Sequence, residues 1–99
     1  MDEKTTLVVT AVPNPSEMAS VQEYLKGVMP LFAEAGGTLV KRLKTDAVLH
    51  GNPSGMALVM DFDSADAVTK LFESDAYAEL VAVRDRGFSE MNILLTHTM

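Results

Sequence analysis

Apolar positions along the chain follow two alternating rhythms. Thr5 to Val12 ("TTLVVTAV") is β-branched and apolar on both faces, Leu7, Val9 and Ala11 opposing Val8 and Val12. That pattern predicts a central strand, and Pro13 ends it. "NPSE" then reads as a helix start, with Asn14 as N-cap, Pro15 in the first turn and Glu17 reaching back. Met18, Val21, Leu25, Val28, Phe32 and Ala35 recur every three or four residues and form one helical stripe. Pro30 lies inside the stripe and is expected to kink the helix or split off its last turn. Gly36-Gly37 stops it, one glycine supplying the left-handed cap.

The period returns to two in "TLVKRLKTDAVL" (38–49), an extended segment with a break near Thr45-Asp46. "HGNPSG" turns the chain into "MALVMDF" (56–62), again apolar on both faces. "DSADAVTKLFES" starts a short helix capped by Asp63 or Ser64, and Ser74 caps a second piece, "DAYAELVAVRDR". Arg84 and Arg86 fall in its last turn, where cations complement the helix dipole, and Gly87 closes it. "EMNILLTHT" is the last strand. The order β-α-β-β-α-β predicts an α+β, ferredoxin-like plan with an antiparallel four-stranded sheet, one domain across residues 1–99.

Alternation also separates the two faces of that sheet. Met56, Leu58, Met60 and Phe62, with Met91, Ile93 and Leu95, form the set expected to face the helices. The opposite set holds Ala57, Val59, Asp61, Glu90, Asn92, Leu94 and Thr96, with Val8, Thr10 and Val12 from the first strand. This second face is too apolar for free exposure and too polar for a plain core. Two copies stacking these faces would cover them and enclose a semi-polar cleft. A homodimer is therefore expected, with the cleft available to a small organic molecule.

Composition narrows the function classes. The chain has 99 residues, 47% of them hydrophobic, and a net charge of −6. Such acidity argues against nucleic acid and anionic membrane surfaces as partners, since both need a basic footprint. No cysteine is present, which excludes a disulfide framework, a thiolate nucleophile and Cys-ligated zinc. "MDEKTTLVVT" lacks a basic segment followed by an apolar run, and no stretch approaches a membrane span, so a cytoplasmic protein is expected.

At this point the chain resembles the domain of unknown function 1330 family, within the dimeric α+β barrel superfamily. The resemblance rests on "AGGTLVKR", "LHGN", "DFDS" and "SDAYAELVAVR". Gly36, Gly37, Arg42, Gly51, Phe62, Ser64, Ser74, Tyr77 and Arg84 fall in register with it. Leu43 and Lys44 stand where the family usually has glycines, and His50 where it often has an acidic or otherwise variable residue. The resemblance implies the fold and a dimer, and no settled activity.

Candidate chemistry is sparse. Arg42, on a strand and expected to face the dimer cleft, suits a carboxylate or enolate oxygen, or an intersubunit salt bridge to Asp61 or Glu90. His50, His97 and Glu90 are the candidate bases, although neither histidine has a local carboxylate or a second ligand at metal spacing. Asn92 belongs to the same sheet face, and Tyr77 lies early in a helix, where its ring is expected to pack with its hydroxyl at the surface. The methionines read as core filler. Lys41, Arg42 and Lys44 read as a solvated strand edge. "GNPSG" lacks the Gly-Lys-Ser/Thr end of a phosphate loop and leads into a strand. The expectation is a ligand-binding site comprising Arg42, His50, Asp61, Tyr77, Glu90 and Asn92, without metal or cofactor. The alternatives are a cofactor-independent monooxygenase or isomerase of an activated carbonyl compound, and a structural or regulatory dimer without ligand.

Overall fold

In a computed structural model, which describes residues 5–52 and 54–99, the chain forms β1 (Thr5–Pro13), α1 (Met18–Glu34), β2 (Thr38–Lys44) and β3 (Met56–Phe62), followed by α2 (Ala65–Phe72), α3 (Asp75–Ala78), α4 (Val81–Gly87) and β4 (Phe88–His97). The expectations about residues 1–4 and Pro53 lie outside the described residues. The sheet order is β2-β3-β1-β4 and every pairing is antiparallel. This is the ferredoxin-like β-α-β-β-α-β arrangement that the hydrophobic pattern predicted. No helix among the described residues is long and apolar enough to cross a membrane.

Local chemistry accounts for most boundaries. The Asn14 side chain accepts a hydrogen bond from the Ser16 backbone N–H at 3.1 Å and opens a short 3₁₀ turn, Pro15–Glu17, ahead of α1. Glu17 does not reach back to the cap, because Ser20 Oγ donates to its carboxylate at 3.1 Å. α1 runs through Pro30 as one helix, and the expected split does not occur. Gly36, at φ 88°, takes the left-handed conformation after α1. Gly37 is needed for a different reason, since a Cβ there would lie 2.7 Å from the Phe62 ring. The Ser64 and Ser74 hydroxyls cap α2 and α3 by accepting from Ala67 and Tyr77 N–H groups. The single helix expected over 75–86 is instead α3 and α4, and β4 begins two residues earlier than its apolar run.

The core lies between the sheet and the helices. Leu7, Leu58, Met60 and Phe62 from the sheet meet Val21, Val28 and Phe32 from α1, all buried, with Val68, Tyr77 and Val83 completing the helix side. Met56, Met91 and Ile93 are partly buried against this cluster, as the alternation predicted. Leu95 is the exception. It shares the face of its strand partner Leu7 but is 48% exposed, on the edge strand of the sheet.

One irregularity decides the placement of a candidate residue. β2 pairs Leu39 with Met60 and then Lys41, not Val40, with Val59. An extra residue of this kind is a β-bulge, and it turns every later side chain to the other face. Arg42 therefore pairs with Leu58 and shares its helix-facing side, while Lys41 pairs with Val59 on the open side.

Candidate functional site

A cavity of about 250 Å³ lies between α1 and the sheet. α1 lines it with Tyr24, Leu25, Val28, Met29 and Phe32; the sheet contributes Val9, Met56, Leu58, Met91 and Ile93; Phe72 of α2 and Phe88 at the start of β4 complete the apolar wall. The polar groups are few. Gln22, Lys26 and Arg42 line it as well, and all three side chains are exposed to solvent. An apolar interior with a few polar groups is the usual make-up of a small-molecule site.

Tyr24, one of the lining residues, is buried and carries a bonded hydroxyl. Its hydroxyl lies 2.9 Å from that of Tyr77, and Arg84 Nη1 donates to the Tyr77 oxygen at 3.1 Å. Arg84 Nε also donates to Asp85 Oδ1 at 3.0 Å, and the guanidinium carbon sits 5.9 Å from the Tyr77 ring centre, within cation–π range. Burial pushes the Tyr24 phenol well above the ordinary tyrosine value, with the Tyr77 hydrogen bond acting in the same direction. Burial works against the Arg84 charge, but its hydrogen bonds to Tyr77 and Asp85 outweigh that and raise its pKa. The three side chains are linked in series, guanidinium to Tyr77 hydroxyl to Tyr24 hydroxyl. Rings add to the order, with Tyr24 edge-on to both Tyr77 and Phe88, and Phe72 edge-on to Tyr77.

The structure distributes the predicted site residues over three places. Arg42 lines the helix-side cavity, not the open face, because of the β2 bulge. Tyr77 is buried beside that cavity, and its hydroxyl is bonded rather than at the surface. Glu90 and Asn92 lie on the open face and line a separate hollow of about 270 Å³ with Thr10, Asn52 and Ser54; Asn92 Nδ2 donates to Thr10 Oγ1 at 3.2 Å. Asp61 is also on the open side, where it accepts from Thr6 Oγ1 at 2.7 Å, so within one chain it lies across the sheet from Arg42. His50 is exposed in a bend before Gly51, and His97 is exposed at the end of β4. No group of three or more His, Cys, Asp or Glu suited to a metal ion occurs among the described residues.

Tyr24 escaped the list of candidates. It lies on the first helix outside the stripe of apolar residues that the spacing picks out, and its partner is 53 positions away. Only one signal was available: two tyrosines and an arginine in a chain that has two tyrosines in all.

Fold and cavity together define a ferredoxin-like α+β domain with an apolar chamber under its long helix. The chain belongs to the family described as domain of unknown function 1330, which matches it over residues 5–99. It is similar in structure to a protein of unknown function from Rhodopseudomonas palustris (TM-score 0.81, 14% identity, 100% of this chain and 85% of that one). A putative antibiotic biosynthesis monooxygenase from Nitrosomonas europaea is also similar (TM-score 0.70, 11% identity, 100% and 93%). So is a dimeric protein of unknown function with a ferredoxin-like fold from Bacteroides fragilis (TM-score 0.62, 11% identity, 96% and 96%). No curated protein sequence matches the chain. At these identities the likeness concerns the fold.

Proposed function

We propose that the protein binds a small, largely apolar organic molecule in the cavity under α1, one per chain, and that two chains associate through their open sheet faces. The observation that carries the binding reading is the cavity itself. An apolar cavity of about 150 Å³ accommodates benzene, so 250 Å³ suits a bicyclic molecule. Filling it restores dispersion contacts that its lining otherwise lacks. Lys26 and Arg42 make the exposed end cationic, which favours a neutral or anionic ligand over a cationic one. This reading moves the ligand from the sheet–sheet cleft to the helix side.

Methyl NMR with tetralin as the probe tests it. The Met29, Met56 and Met91 methyls, which line the cavity, are expected to shift, while exposed Met18 and Met99 stay in place. Val9→Phe, which projects a ring into the cavity, is expected to abolish the shifts. Shifts confined to Val59 and Leu94 would return the site to the open face, and no shift at all would remove the binding reading.

For association, the open face offers a row in which Lys41, Val59, Val8 and Leu94 lie side by side across all four strands. Leu94 is half exposed, and the dimeric neighbour from Bacteroides fragilis has the same fold. Light scattering that gives a monomer mass at micromolar concentration would overturn the dimer.

A second reading is a cofactor-independent monooxygenase. Its support is the likeness to the putative monooxygenase and a phenol on the wall of an apolar chamber. Oxygen consumption on adding an aromatic ketone with an activated CH2, which O2 would convert to C=O with water as the second product, lost in Tyr24→Phe, would favour it.

A further inference from the structure

Charge around the cavity under α1 is drawn unevenly from the chain. The protein carries 14 acidic and 8 basic residues, so an opening of average composition would be acidic. The charged residues that line this cavity are Lys26 and Arg42, and no Asp or Glu among the described residues lines it. Both cations are exposed as well, so each touches the cavity and reaches solvent, which places the pair at its mouth. Long basic side chains behave in this way on apolar surface: the methylene stem lies along it and the charged head stays in water.

Two elements supply the pair. On α1, Gln22 and Lys26 are one turn apart and share a face with Met29, which also lines the cavity. On β2, the bulge sets Arg42 opposite Leu58 on the helix side, and Lys44, opposite Met56, follows on the same side. With regular pairing that place would fall to Lys41, so the bulge selects a guanidinium for the mouth. Neither lining cation is committed elsewhere. The ion pairs among the described residues use Arg84 with Asp85 and Arg86 with Glu17, and none involves Lys26 or Arg42.

We infer that the molecule bound in this cavity is an amphiphilic carboxylate, its apolar body under α1 and its carboxylate at the mouth between Arg42 and Lys26. This rests on the cavity being the binding site. A guanidinium presents paired N–H donors to two carboxylate oxygens, and an ammonium adds a point charge from the facing helix. The chain as a whole, at net charge −6, repels anions, so the preference has to come from these two residues. Phosphate is less well matched. α1 lines the cavity from Gln22 to Phe32, beyond its first turn, and so does not offer the N-terminal N–H groups that hold a phosphate.

Calorimetric titration of the full chain with 2-naphthoate, its neutral isostere 2-naphthamide and 2-naphthyl phosphate tests the inference. At low ionic strength 2-naphthoate is expected to bind about ten-fold more tightly than the amide, the effect of two exposed cations. Raising NaCl to about 0.5 M should remove most of that preference. Arg42→Gln and Lys26→Gln change exposed positions and should fold; each is expected to weaken 2-naphthoate about three-fold and leave 2-naphthamide within about two-fold. Equal affinity for acid and amide, a preference that survives both substitutions, or tighter binding of the phosphate would overturn the inference. The cavity reading would still stand if 2-naphthamide shifted the Met29, Met56 and Met91 methyls. Failure of all three probes to bind would overturn both.

Discussion

The two faces of the sheet are made of the same strands and similar side chains, yet they end in different environments. On the helix side, Leu7 and Met60 are strand partners at 1% and 3% exposure, closed over by α1 and its neighbours. One residue along, Val8 and Val59 are partners on the open side and remain partly exposed, with Leu94 beside them at 50%. Aliphatic composition alone does not decide burial; what decides it is whether the chain supplies a covering layer. This chain covers one face and leaves on the other an apolar row flanked by Asp61, Thr6 and Thr96 at one end and Asn92 and Glu90 at the other. Even the covered side is not filled throughout, since the cavity lies there.

Substitutions on the two faces should therefore fail in different ways. The largest effect is expected from Phe62→Ala on the helix side, where the ring is 1% exposed and stacks edge-on to Phe32. It should cost about 3–5 kcal/mol, read as a large drop in the urea midpoint at ambient temperature. Leu94→Asp on the open side should leave the helix-side core intact by near-ultraviolet circular dichroism. It should also raise the dimer dissociation constant about a hundred-fold, because each copy would bury a carboxylate without a partner. A mass unchanged by that substitution in dilute solution would show that the open face is not the interface.

Between these lie the phenols. Tyr77→Phe removes the acceptor of Arg84 and the hydroxyl partner of Tyr24 together, and should cost about 1–2 kcal/mol in thermal unfolding. Tyr24 adds a pH signature. The folded chain holds its proton more tightly than the unfolded chain, because burial raises its pKa. Its contribution is thus complete below the ordinary tyrosine value of about 10 and declines as pH rises past it. Alkaline denaturation of Tyr24→Phe should be correspondingly less steep. The smallest effects belong to the exposed cations. Arg42→Ala and His50→Ala should each change stability by no more than about 0.5 kcal/mol. Arg42→Ala alone should weaken an anionic probe such as 2-naphthoate, so parity of the two variants in that titration would remove Arg42 from the site.

Several features of the chain were legible because they depend on neighbours in sequence. The strand–helix order, the serine caps, the Gly36 stop and the division of β1 and β3 into two faces follow from periods of two and 3.6 and from turn chemistry. Glu90, Asn92 and Asp61 were placed on the open face by the same alternation, and there they lie. Tyr77 was marked by its place in the "SDAY" helix start, but its bonding was not, since hydroxyl partners are chosen by packing between elements.

What the sequence by itself determined is the set of elements and which residues of an uninterrupted strand share a face. Tertiary structure alone decided two things. The extra residue at Val40 is a matter of register between β2 and β3, invisible in either strand alone, and it moved Arg42 from the expected cleft to the helix-side cavity. The packing of α1 against α3 and α4 then brought Tyr24 to Tyr77 and Arg84 and left an apolar chamber beside them. Local periodicity records where a side chain points along its own element. Which side chains meet, and what space stays between them, is set by how elements with no common period fit together.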